Sequence, residues 1–316
     1  MTSATSPDRL VERAQAPARC GVAVRSPGLQ GSAPVKVDKL TGTDGFVVTD
    51  LDDATTSVGV VRLAPKVLRD GAQLLARSVT YAFASFGISG HGGASAGINA
   101  KPDARDDALA AFLDEVRPRA EAGALVLAPG TGLSVDDLAP LGWADVDATL
   151  TAAGALAAGR VAGPHDWRTA AVVGTGPVVD AATAQLTDAG ATLVESRFDS
   201  ACDVLFVAGK AGVLDHATAG VVQARTIVPL TPVPVTARAL AVLGRAEQVV
   251  IPDFLATVAP LLATYDGAGG DPVQRIHTAV TDLAEAGTGL WLAAAKRAEQ
   301  HLATWTAEKP FGRPLA

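Results

Sequence analysis

The sequence predicts two α/β domains, and three observations carry that prediction. The chain has 316 residues, about twice the ~150 typical of one domain. Short β-branched runs alternate along it with longer segments whose apolar residues recur at helical spacing. Near the midpoint, Ala170-Ala171-Val172-Val173 meets Gly174-Thr175-Gly176 and then a helical stretch. That order of strand, tight turn and helix opens a doubly wound parallel sheet.

The elements follow in order. Residues 1–18, with Ser, Thr and Pro at Thr2, Ser3, Thr5, Ser6 and Pro7, read as a flexible tail. Residues 19–150 form the first domain, with strands at Gly21–Val24, Gly45–Thr49 and Ser57–Arg62. Asp70 to Phe86 carries Leu74, Leu75, Val79 and Phe83 at helical spacing, so a helix leads into the glycine-rich segment Gly90–Ile98, read as a loop. Ala104 to Ala122 repeats the helical signal around Leu109, Phe112, Leu113 and Val116, and the strand Ala124–Leu127 then feeds a turn at Pro129-Gly130. Residues 151–285 form the second domain. The helix Ala148–Ala162 is stopped by Gly163-Pro164, and the strand Ala170–Val173 is followed by a helix at Val178–Ala189 and a second strand at Ala191–Glu195. Apolar runs at Asp203–Ala208, Thr226–Leu230 and Gln248–Ile251 suit strands buried on both faces, as a parallel sheet requires. In residues 286–316, a helix over Thr288–Thr304 bears Leu290, Trp291 and Leu302 and returns to the domain junction.

Composition narrows the function. The net charge is −7 and the basic residues are scattered, which argues against nucleic acid as a partner. Two cysteines, Cys20 and Cys202, make neither a disulfide framework nor a structural zinc site. Five histidines without HExxH spacing predict no metal site. No apolar stretch reaches the ~18 residues of a membrane span, and the N-terminus lacks the apolar core of a signal peptide. A cytoplasmic protein is expected.

Several segments, in order, resemble the Glu/Leu/Phe/Val (amino-acid) dehydrogenase family. They are Gly45-Phe46-Val47-Val48-Thr49-Asp50 with Ala54-Thr55-Thr56, then Leu75-Ala76-Arg77-Ser78-Val79-Thr80-Tyr81-Ala82, then Gly92-Gly93-Ala94-Ser95-Ala96-Gly97-Ile98. Ala128-Pro129-Gly130-Thr131-Gly132 and Ile251-Pro252-Asp253-Phe254-Leu255-Ala256-Thr257 continue the series. The resemblance implies a substrate-type α/β domain followed by a Rossmann-like one. It also marks what this sequence lacks. The family's carboxylate-holding lysine falls on Ala82, its catalytic lysine on Ser95, its catalytic aspartate on Gly130 and its late asparagine on Thr257. A serine is far too weak a base to replace a lysine of depressed pKa, and glycine has no side chain at all. Arg62 matches an arginine of the family's strand and reads as structural.

The nucleotide turn is eroded in the same way. Gly174 and Gly176 fit the first two glycines of G-x-G-x-x-G, but Val179 stands at the third, and Pro177 removes an N–H beside the phosphate site. The family's acidic ribose ligand falls on Arg197, a residue type that suits the 2′-phosphate of NADP. Only Phe198 to Ala201 separate that strand from Cys202-Asp203-Val204. A βαβ unit takes about 30 residues, so the Rossmann-like domain is truncated on its adenine side. NADP is the cofactor to consider, with weak or absent binding.

The expected function is therefore a dehydrogenase-like protein that has lost NAD-linked oxidative deamination. In this reading it binds or transforms a small amino-acid-derived molecule in the interdomain cleft. Ser95, His91 and Tyr81 would act there, and Gly92, Gly93, Gly130, Thr131 and Thr257 would contact the ligand. Losing two lysines points to a neutral or cationic ligand, received by free backbone N–H groups of the glycine-rich loop. Two alternatives stand beside it: a non-catalytic subunit assembling with itself or with an intact dehydrogenase, and an NADP-dependent reductase of an imine or ketone using Arg197. A convergent polar pocket favours the cleft ligand; an apolar, collapsed seam favours the subunit.

Overall fold

Helix and strand signals in the first half resolve into a five-stranded mixed sheet. The computed structural model describes residues 36–143, 145–164, 166–267, 269–285, 289–307 and 312–316. The expected N-terminal tail and the Gly21–Val24 strand lie outside the described residues. The strands are β1 (Lys36–Lys39), β2 (Gly45–Thr49), β3 (Thr56–Ala64), β4 (His91–Asn99) and β5 (Leu125–Pro129), in the order β1-β2-β4-β3-β5. β2 runs antiparallel to β1 and β4, and β3 runs parallel to β4 and β5.

The segment expected as a glycine-rich loop is β4, a strand in the middle of this sheet. Its glycines serve packing. Helix α1 (Arg69–Ser85) lies directly on β4, so a Cβ at Gly93 would stand 1.6 Å from the Ala76 carbonyl oxygen. At Gly97 it would stand 2.6 Å from the Phe46 ring. On the opposite face, helix α2 (Arg105–Glu121) buries Leu109, Phe112 and Val116 against Val61, Leu63, Ala96 and Ile98.

The second sheet is parallel throughout. Its strands are β6 (Thr169–Val173), β7 (Thr192–Leu193), β8 (Val204–Val207), β9 (Thr226–Pro229) and β10 (Val249–Val250), in the order β10-β9-β8-β6-β7. A full doubly wound sheet reads 3-2-1-4-5-6. Here β7 takes place 2, and among the described residues no strand takes place 3. The second strand is also shorter than the expected Ala191–Glu195, because the chain turns away at the exposed edge. Ser200 closes that turn by donating to the Glu195 carbonyl at 2.6 Å. The adenine-side strand and helix are absent between Arg197 and Cys202, all of which is described.

The two sheets share one apolar cluster. Leu51, Val58, Tyr81, Ala82 and Phe83 beside the first sheet are continuous with Val172, Phe206, Ile227, Phe254 and Trp291 around the second. Ring contacts mark the seam: Tyr81 to Phe254 at 5.5 Å and Phe254 to Trp291 at 5.8 Å. Trp291 belongs to helix α3 (Leu290–Leu302), which packs on α1. Among the described residues no helix is long and apolar enough to cross a membrane. None of their His, Cys, Asp and Glu side chains form a cluster able to hold a metal ion.

Candidate functional site

The positions that the sequence resemblance singles out lie where β3, β4 and β5 meet α1. Ser95 pairs with Val48 on one side and Val60 on the other, and its side chain is fully buried. Among the described residues its hydroxyl has no hydrogen-bond partner. Ala82 is 4% exposed and packed in the shared apolar cluster. Gly130 stands at the end of β5, where an added Cβ would come 2.9 Å from both Arg62 Cγ and the Val61 carbonyl oxygen.

The expected acting residues are not brought together. His91 and Ser95 face the same side of β4 but are four residues apart, about 13 Å along a strand. His91 is half-buried between the rings of Phe83 and Tyr265, each at 5.2 Å, and its Nδ1 lies 3.0 Å from the Ser89 carbonyl oxygen. Tyr81 donates to Glu299 Oε1 at 3.2 Å, and burial with that carboxylate pushes its phenol well above the usual tyrosine range. It is a junction residue in this structure, held by α3.

The backbone donors expected of the glycine-rich segment are already used. Gly93 N–H donates to Thr80 Oγ1 at 2.9 Å, and its carbonyl accepts from Asp50 N at 3.0 Å. Gly92 is buried, with an added Cβ 3.0 Å from the Ala54 methyl group. Gly130 N–H donates to the Val61 carbonyl at 2.8 Å. A central strand commits its N–H groups to its neighbours, so a ligand finds none free there. Thr131 is exposed beyond β5, and Thr257 Oγ1 donates back to the Asp253 carbonyl at 2.9 Å.

At the nucleotide turn the glycines keep their conformations. Gly174 has φ +123° and Gly176 φ +113°, and a Cβ at Gly174 would stand 2.5 Å from the Ala208 carbonyl oxygen. The helix that follows, Pro177–Asp188, offers little to a phosphate. Pro177 has no N–H, the N–H groups of Val179 and Asp180 both donate to the Gly176 carbonyl, and Asp180 adds negative charge to the first turn. Val179 fills the third-glycine position and is buried. Arg197 is exposed and engaged: its Nε and Nη2 donate to Asp199 at 2.8 and 2.7 Å, with Glu195 at 3.8 Å. A 2′-phosphate meets two carboxylates there. Calorimetric titration with NAD or NADP should accordingly show no saturable heat at millimolar cofactor. A micromolar Kd, about −8 kcal/mol, would overturn that expectation.

Three polar features of this region escaped the sequence. Asp50 and Arg77 form a buried ion pair at 3.0 Å, in which burial pushes the Asp50 carboxyl up while Arg77 and Thr80 oppose the shift. Asp253, fully enclosed, accepts from Ser78 Oγ at 2.5 Å and from Val233 N–H at 2.9 Å, tying α1 to the second lobe. Val233 pays for that contact with a φ of +54°, a strained conformation for a β-branched residue. The third is Arg62, whose Nε and Nη2 are buried and, among the described residues, without a partner. The one local hint was an aspartate set inside the apolar run Ile251-Pro252-Asp253-Phe254-Leu255.

A mixed sheet capped by α1, joined to a parallel nucleotide-type sheet and closed by a returning helix, is the fold of the amino-acid dehydrogenases. Neither a family model nor a curated protein matches the sequence. Solved structures do match. The hetero-hexameric glutamate dehydrogenase from Thermus thermophilus, in a Leu-bound form, is similar with a TM-score of 0.68 at 20% identity, over 87% of this chain and 89% of that one. The L-tryptophan dehydrogenase from Nostoc punctiforme gives 0.65 at 20% identity, over 87% and 96%. A further glutamate dehydrogenase gives 0.71 at 17% identity, over 86% of each chain. Identity this low speaks for the fold alone.

Proposed function

We propose that this chain is a non-catalytic subunit of dehydrogenase fold, unable to carry out nicotinamide-linked oxidative deamination. The observation that carries the reading is the state of the acid–base positions: Ala82 and Ser95 are shut inside the packing and Gly130 has no side chain. Proton transfer at a substrate carbon needs a titratable group within hydrogen-bond reach, and none of these positions supplies one. The apolar seam of Tyr81, Phe254 and Trp291 favours this reading over a cleft that transforms a small molecule. An NADP-linked reductase is disfavoured by the missing adenine side and by Asp199 on Arg197. The hetero-hexameric neighbour is, by its description, an assembly of unlike subunits. Assembly with itself or with an intact dehydrogenase, in the cytoplasm, is the role that fits.

The test is direct. Leucine, valine, phenylalanine and glutamate are offered with NAD or NADP, and absorbance is followed at 340 nm. No rate above a protein-free control is expected, and a clear rate with any pair sinks the reading. Light scattering after size exclusion, alone and mixed with an active dehydrogenase from the same cell, reports the assembly; a strict monomer in both would remove the subunit role.

A further inference from the structure

We propose that the groove between helix α3 and the extended residues 235–237 is a docking site for an arginine-proline-aliphatic peptide segment, occupied in cis by residues 312–316. The backbone of residues 234–237 defines one wall. Along an extended segment, successive N–H and C=O groups serve alternate sides. On one side the Pro234 carbonyl accepts from Leu214 N–H at 2.9 Å, and Thr236 N–H donates to the Leu214 carbonyl at 3.1 Å. The other side presents the Val235 carbonyl and the Ala237 N–H. Ala316 takes both, donating to Val235 at 3.4 Å and accepting from Ala237 at 3.0 Å. This is addition to an open edge, in which main-chain bonds hold the guest and side-chain contacts select it.

The guest's side chains define the kind of partner. Arg313 lays its fork on Glu299 of α3, Nε to Oε1 at 2.7 Å and Nη2 to Oε2 at 3.2 Å. A two-bond fit of this kind separates arginine from lysine. The Tyr81 hydroxyl donates to the same Oε1 at 3.2 Å and stands 3.5 Å from the Gly312 carbonyl oxygen, so the lining crosses from α3 to α1. Pro314 is buried, and Leu315 is half-buried against the apolar cluster that both lobes share. Gly212 leaves room for the Ala316 methyl group, which an added Cβ there would approach to 3.2 Å. Arginine, proline, an aliphatic residue and a small residue are thus read in succession. None of these contacts is local: Tyr81 and Gly312 are 231 positions apart. An extended segment of a partner chain with the same side chains can therefore make every one of them. Until then the tethered segment competes at an effective concentration on the order of millimolar, which keeps the groove closed to weak guests.

The probe is the peptide fluorescein-Gly-Arg-Pro-Leu-Ala-amide, followed by fluorescence polarisation against the whole chain. Arg313→Glu sets two carboxylates together and should release the tethered segment. Release is read as faster hydrogen exchange at the Ala237 amide with an unchanged near-ultraviolet spectrum. Leu315→Asp, which removes the apolar contact instead, should behave alike. Each released variant should bind the peptide saturably and regain Ala237 protection with it, and wild type should bind at least tenfold more weakly. A peptide with lysine in place of arginine should lose at least tenfold on the same variants, because it keeps the charge and lacks the fork. An Ala237 amide still protected in both variants, no saturable binding, equal binding by wild type, or equal binding of the lysine peptide would each overturn the proposal. The groove does not depend on the non-catalytic reading: activity at 340 nm would end that reading and leave this measurement unchanged.

Discussion

Gly93→Ala is expected to cost about 3 kcal/mol or more, enough to unfold a protein of ordinary stability. The new methyl carbon would lie 1.6 Å from the Ala76 carbonyl oxygen and 2.5 Å from its carbonyl carbon, both rigid backbone of α1. Relief requires lifting the helix from β4, which would expose the packing of Ala72, Ala76, Phe46 and Val48. The matched control is Gly71→Ala in the first turn of the same helix, where an added Cβ meets nothing within 4 Å. That change should stabilise by about 0.5–1 kcal/mol, because alanine loses less backbone entropy than glycine in a helix. Urea midpoints compare the two. Equal stability of Gly93→Ala and wild type would mean that α1 does not rest on β4.

The second large effect is a pH dependence. Burial, the dominant influence, pushes the Asp253 carboxyl from 3.8 up to about 6, against the pull of its bonds from Ser78 and Val233. The folded state therefore holds this proton more tightly than the unfolded chain. Stability from this group is fully present below the unfolded value near 4 and is lost as the pH rises through about 6. The total is on the order of 3 kcal/mol. Asp253→Asn keeps an acceptor for Ser78 and Val233 and cannot ionise. Its stability should vary less than wild type between pH 4.5 and 7.5, gaining on wild type toward the alkaline end. Asp253→Ala should instead lose about 1–3 kcal/mol across the range, because Val233 N–H is left buried without a partner. Parallel pH profiles for wild type and the asparagine variant would show that this carboxyl does not titrate as described.

Local pattern alone carried much of the functional reading. The run Ala170–Val173 into Gly174-Thr175-Gly176 specifies a strand and a turn through short-range sterics, and the structure has both. The link Phe198 to Ala201 is too short to hold a strand and a helix whatever packs around it, so the missing adenine side was a matter of chain length. That Ala82, Ser95 and Gly130 carry no lysine or aspartate side chain is a property of the sequence, which no fold alters. In contrast, Gly90–Ile98 looked like a loop because its glycines signal turns locally; it is a strand whose glycines are needed because α1 and the Phe46 ring leave no room for a Cβ at Gly93 and Gly97. The same packing sealed Ser95 from water and used the N–H of Gly93. Asp253 and Ser78 are 175 positions apart, and their bond exists only because the two lobes share one core. Arg62 looked like any strand arginine in sequence. That its Nε and Nη2 are buried and, among the described residues, without a partner emerged only in three dimensions, because a salt bridge depends on what the fold brings alongside, and at the end of β5 it brings a glycine.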